Sequence, residues 1–150
     1  MKKPTITHEN GNNANTVLYA AYRIGNLVKW KDEDTECYLT ITGIVLNDIV
    51  CVEWEWEDGE RDDCDCSIDF ISGIKITEDL ILKLGFEQSK TTDKFFTKDN
   101  SFGISTAGNK FRFIQGNFVC QLVLRDLEFI HELQNLYYAL TGNEISLSGI

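Results

Sequence analysis

Proline occurs once in these 150 residues, at Pro4. Interruptions of the chain must therefore come from its 11 glycines and from Asn and Asp in turns. No run approaches the roughly 20 apolar residues that span a bilayer, so no contact with a membrane is expected. The N-terminal Met1-Lys2-Lys3-Pro4-Thr5 leads into polar residues and not into an apolar h-region. No secretory signal is expected, and the cytosol is the expected location. Histidine is scarce as well: only His8 and His131 could serve as imidazole bases. The sequence contains no Gly-x-Ser-x-Gly, no P-loop, no Gly-x-Gly-x-x-Gly after a strand and no His-Glu-x-x-His. It reads as non-enzymatic and without a cofactor.

Positive charge is the other shortage. Lys and Arg number 14 against 24 Asp and Glu, a net charge of −10. Residues 31–70 hold 14 acidic and 2 basic side chains, a net of −12, while the remainder carries +2. Binding of DNA or of an anionic membrane through that segment is opposed by repulsion, whereas a basic protein is attracted.

Hydrophobic residues make up 43% of the chain and include nine Phe, five Tyr and three Trp, enough for a packed core. Five cysteines, an odd number without a signal peptide, argue for reduced thiols. Cys51 and Cys120 lie in strand-like apolar runs and read as small core residues.

The pattern divides into a polar tail over 1–15, a β-rich unit over 16–76 and a mixed unit over 77–150. The last two are expected to pack together. Strands are expected at 24–30, 38–46, 49–57, 60–67 and within 68–76, with turns at Asn47-Asp48 and Asp58-Gly59. In the third, Val50, Val52, Trp54 and Trp56 should face one way and Cys51, Glu53, Glu55 and Glu57 the other. Five short strands joined by tight turns predict a small SH3-like barrel or curled sheet. Thr77 caps an expected helix over 78–84 that Gly85 stops. A meander of strands at 94–98, 102–106, 110–115 and 118–124 follows. Leu127, Ile130, Leu133, Leu136, Tyr137 and Leu140 then recur at helical spacing, with Asp126 as N-cap and Gly142 at the C-terminus. Glu144 to Leu147 could add an edge strand. The expected class is α+β.

Arg23-Ile-Gly-Asn-Leu-Val28, Ile76-Thr-Glu-Asp-Leu-Ile-Leu-Lys-Leu-Gly-Phe86 and His131-Glu-Leu-Gln-Asn-Leu-Tyr-Tyr-Ala-Leu-Thr-Gly-Asn-Glu144 resemble segments of small proteins encoded by bacterial phages and integrated mobile elements. No activity is assigned to that family, so no catalytic residues carry over. The resemblance spans Arg23 to Glu144 and implies a site of action inside a bacterial host. The acidic stretch from Glu53 to Asp65 lies outside the resembling pattern.

Four constellations are candidates. His131 and Asn135, four apart on one helix face beside Glu132 and Gln134, could orient a ligand or simply anchor the helix by hydrogen bonds. Cys64 and Cys66, with Cys37, Cys51 and nearby carboxylates, suggest zinc, but structural sites use Cys-x2–4-Cys spacing. Asp62, Asp63, Asp65 and Asp69 suggest calcium, but the Asp-x-Asp-x-Asp-Gly loop with its distal Glu is missing. The fourth is Glu53, Glu55, Glu57, Asp58, Glu60, Asp62, Asp63 and Asp65. So many acids on one hairpin repel one another, which singles them out as a partner-binding surface. The functional expectation is an accessory protein whose acidic surface mimics nucleic acid and binds a basic host protein. A nucleic-acid-binding defence effector such as a CRISPR nuclease is the expected kind of partner, and nucleic acid is not contacted directly. A phage assembly component that oligomerises, or a small metal-dependent enzyme, are the alternatives.

Overall fold

The computed structural model describes residues 22–31, 38–45, 48–56, 58–90, 92, 94–98, 101–107, 110–116 and 121–145. The tail over 1–15, Cys37, Glu57 and Cys120 lie outside them.

Two antiparallel five-stranded sheets carry the fold. The first contains β1 (Leu27–Trp30), β2 (Leu39–Val45), β3 (Ile49–Glu55), β4 (Arg61–Ser67) and β5 (Ile71–Gly73), in the order β4-β3-β2-β1-β5. A 3-10 turn over Ile68–Phe70 joins β4 to β5, and the Ser67 hydroxyl accepts from the Asp69 N–H at its start. α1 (Glu78–Lys83) follows, with the Thr77 hydroxyl accepting from the Leu80 N–H as expected for its cap. The second sheet holds β6 (Glu87–Gln88), β7 (Phe95–Thr97), β8 (Phe102–Ala107), β9 (Lys110–Gly116) and β10 (Gln121–Leu127), in the order β10-β9-β8-β7-β6. α2 (Ile130–Thr141) closes the chain against β1 and β10. The α+β expectation therefore holds.

Two expectations need correction. The first sheet does not close: its hydrogen-bonded order leaves β4 and β5 as opposite edges, so it is an open sheet and not a barrel. The long helix begins three residues later than its apolar spacing suggested. Asp126 and Leu127 belong to β10, where Asp126 stands opposite Arg112 and Leu127 opposite Phe111. Asp126 caps nothing; its carboxylate meets Lys110 and Arg112, both at 3.2 Å. The helix N-terminus is satisfied from within instead, since the Glu132 carboxylate accepts the N–H groups of Glu128 and Phe129 at 2.8 and 3.0 Å. Gly142, at φ +73, ends the helix as anticipated. Ile145 lies beyond the strands, and 146–150 fall outside the described residues.

Two cores form. Val28, Leu39, Ile41, Val50, Val52, Trp54, Cys66, Ile68 and Ile71 fill one face of the first sheet. The other core joins Ile81, Leu84, Phe96, Ile104, Phe113, Ile130 and Leu133 to Leu27, Ile74 and Ile76 from the chain's first half. Successive residues of β1 thus serve different cores, Leu27 facing α2 and Val28 the first sheet's interior, as strand alternation requires. Each fully buried Phe, Leu or Ile contributes about 1.5–3 kcal/mol. Among the described residues α2 packs against β1, while Glu55, Asp63 and Asp65 of β3 and β4, at the far edge, are exposed.

Candidate functional site

The β3–β4 ladder is continuous from Ile49 opposite Ser67 to Glu55 opposite Arg61. Its inward side carries the alternation expected: Val50, Val52 and Trp54 are buried, opposite Cys66, Cys64 and Asp62. Trp30, Trp54 and Trp56 form an edge-to-face row with centroid separations of 6.4 and 5.9 Å. The outward side reads Cys51 opposite Asp65, Glu53 opposite Asp63 and Glu55 opposite Arg61. Glu53 is half-buried; Glu55, Asp63 and Asp65 are exposed.

Like charges directly opposite across a ladder destabilise it, and Glu53 with Asp63 is such a pair. The single cation of this hairpin is Arg61, whose Nε donates to Glu55 Oε2 at 3.1 Å. The sequence reading passed over Arg61; its register position opposite Glu55 was the available signal. Asp58, Gly59 and Glu60 form the exposed tip. The connection is longer than a two-residue turn: Trp56 N–H donates to Glu60 O at 2.7 Å, and Gly59 adopts φ +84. Asp62 does not join the outward row, because it stands opposite Trp54 on the inward side. The eight predicted residues are therefore divided. Glu53, Glu55, Asp63 and Asp65 share a face, Asp58 and Glu60 occupy the tip, Asp62 lies behind, and Glu57 is outside the described residues.

Cys51 was expected in the core and instead sits half-buried on the acidic face, against Gly43 and opposite Asp65. Its thiol is raised above the usual pKa, first because Asp65 takes its hydrogen bond and then by burial and neighbouring carboxylates. Burial and the same acids raise Cys64, and burial pushes the Cys66 thiol up to about 12. These are poor thiolate ligands. Among the described residues no group of three His, Cys, Asp or Glu is placed to hold a metal ion.

The His131 constellation resolves into an anchor. Gln134 is buried and bonded on every side. Its Oε1 accepts the Leu27 N–H at 2.9 Å, and its Nε2 donates to the carbonyls of Gly25 and Ile145 at 3.1 and 3.0 Å. Buried Asn26 donates to Asn135 Oδ1 at 2.8 Å and accepts the Arg23 N–H at 2.9 Å. Arg23 forms a two-point contact with Glu144, both bonds 2.7 Å, and lies over the Tyr138 ring at 4.4 Å. The segments Arg23–Val28 and His131–Glu144, far apart in the chain, thus meet in one network. His131 is packed between the rings of Tyr22 and Phe129 at 4.6 and 5.6 Å, and its Nδ1 has no hydrogen-bond partner among the described residues.

Comparison of the chain with protein-family models, curated proteins and solved structures finds no match.

Proposed function

We propose that the protein is a non-enzymatic accessory factor that binds a basic, nucleic-acid-binding host protein through the outward face of β3 and β4. The observation that carries this reading is the placement of Glu53 directly opposite Asp63, with Asp65 alongside and Arg61 as the hairpin's one cation. A spaced row of carboxylates on a rigid ladder offers a groove built for phosphates the charge pattern it recognises. The resemblance to phage and mobile-element proteins makes a host-defence nuclease, inhibited by mimicry of its nucleic acid, the partner class we favour. We also read the first sheet as SH3-like, on the strand order β4-β3-β2-β1-β5 with a 3-10 turn between β4 and β5.

The test is recovery of partners from host lysate at low and high salt, with Glu53→Lys/Asp63→Lys beside the wild type. The expected result is a nucleic-acid-binding protein retained by wild type alone and released by salt. Identical recovery by a variant with unchanged circular dichroism removes the reading.

A second reading, self-assembly, is favoured by one feature. β10 is an edge strand on which Leu122 and Val123 are 61% and 51% exposed. A dimer in sedimentation that persists in high salt and is lost on Val123→Lys would support it.

A further inference from the structure

The two sheets end in four edge strands, β4, β5, β6 and β10. An edge offers unpaired N–H and C=O groups to any other strand, and proteins guard it by shortness or by charge. Three of these edges are guarded. β5 is three residues long and β6 two. β4 carries Asp62, Asp63 and Asp65. β10 is different. It is seven residues long and, among the described residues, pairs as a strand only with β9. No charge occurs in it before Arg125, and Leu122, Val123 and Leu124 are 61%, 51% and 37% exposed. Its two charges are already met: Arg125 donates to Glu132 at 2.8 Å, and Asp126 pairs with Lys110 and Arg112. No uncompensated charge along β10 therefore opposes a second copy of it.

A bulge interrupts the pairing with β9 between Val123 and Arg125 and leaves Leu124 without an opposite residue. A bulge can turn an edge away from pairing; this one instead adds a third consecutive apolar side chain to the exposed run. Leu122-Val123-Leu124 also reads the same in both directions. A twofold axis at Val123 sets two antiparallel copies with Val123 facing Val123 and each Leu122 facing the other copy's Leu124. A twofold contact requires this self-complementarity, and it gives each exposed apolar side chain of the edge an apolar neighbour. The net −12 of residues 31–70 lies in the first sheet and not along this edge.

We propose that β10 pairs antiparallel with β10 of a second copy about a twofold axis at Val123, joining two five-stranded sheets into one. This rests on the self-assembly reading and specifies its interface. β3 and β4 take no part in it, so the dimer carries two acidic faces.

Sedimentation of the full chain over a range of concentrations should show a reversible monomer–dimer equilibrium that high salt does not weaken. Amide shifts followed by NMR on dilution should centre on residues 121–125. Directly opposed residues of a ladder lie about 4.5–5.5 Å apart, within reach of a disulfide. Val123→Cys with oxidised glutathione should therefore give a covalent dimer, and Leu82→Cys, at a similarly exposed position on α1, should give none. Leu122→Cys should cross-link to Leu124→Cys when the two are mixed, and far less to itself. Val123→Lys sets two ammonium groups face to face and should weaken dimerisation at least about tenfold. A dimer that Val123→Lys leaves intact, dilution shifts that map elsewhere, or equal cross-linking of Val123→Cys and Leu82→Cys overturns this interface and leaves self-assembly standing. A wild type that stays monomeric at millimolar concentration removes both.

Discussion

The side-chain amide of Gln134 stands in for a strand, taking the N–H of Leu27 at 2.9 Å while donating to Gly25 and Ile145. Three backbone groups from two distant parts of the chain are satisfied by one residue of α2. Removing the amide leaves them buried and unpaired, at about 1–3 kcal/mol for each orphaned group, less whatever water recovers. Gln134→Leu should therefore cost about 2–4 kcal/mol of stability, read as a lower urea midpoint with an unchanged m-value. A loss below about 1 kcal/mol would mean that β1 and α2 are held by packing alone.

His131 makes stability depend on pH. Burial lowers its pKa below the usual 6.5; Glu132 opposes that shift and Arg125 reinforces it. The unfolded chain takes up this proton at about 6.5, and the folded chain resists it until lower pH. Stability from this group is complete above 6.5 and is lost as pH falls from 6.5 through the lowered value. Each pH unit between the two pKa values removes about 1.4 kcal/mol. His131→Phe should flatten the stability profile between pH 7 and 5 relative to wild type. Parallel profiles would show that His131 does not carry the dependence.

Glu53 and Asp63 give a prediction of opposite sign to most substitutions. Asp63→Asn removes a facing like charge and should raise stability by about 0.2–1 kcal/mol at low salt. The gain should shrink in 0.5 M salt, where exposed charges are screened. If the acidic face binds a basic partner, the same variant binds it more weakly. Stability rising while affinity falls separates a surface kept for function from one that only solubilises. A variant that changes neither leaves the acidic row without a role.

Much of this was legible in the sequence because local chemistry decided it. The alternation from Val50 to Trp54 fixed which side of β3 is buried, Thr77 and Gly85 bracketed α1, and Gly142 ended α2. Asp126 and Leu127 misled because helical spacing ran on into a strand. Their pairing with Arg112 and Phe111, fixed by the β9–β10 hairpin, overrode local propensity. The barrel expectation failed because strand count does not decide closure, which depends on how the edge strands meet. Gln134 and Asn135 were visible as a polar helix edge, but their partners Gly25, Asn26 and Leu27 lie more than a hundred residues away.

The acidic face also sets the chemistry of its thiol. Cys51 is raised because its S–H donates to Asp65, with burial and the charges of Asp65 and Asp63 acting the same way, and a raised thiol holds little thiolate at neutral pH. Cys66 should be silent in the native state, its pKa pushed to about 12 and its side chain buried. Iodoacetamide at pH 8 should therefore label Cys51 slowly and Cys66 not at all until urea unfolds the chain. Asp65→Asn removes the carboxylate acceptor and one nearby charge, so labelling of Cys51 should accelerate severalfold while Cys66 stays protected, as followed by peptide mass spectrometry. An unchanged rate at Cys51 would mean that Asp65 does not hold its proton, and that access past Gly43 limits the reaction instead.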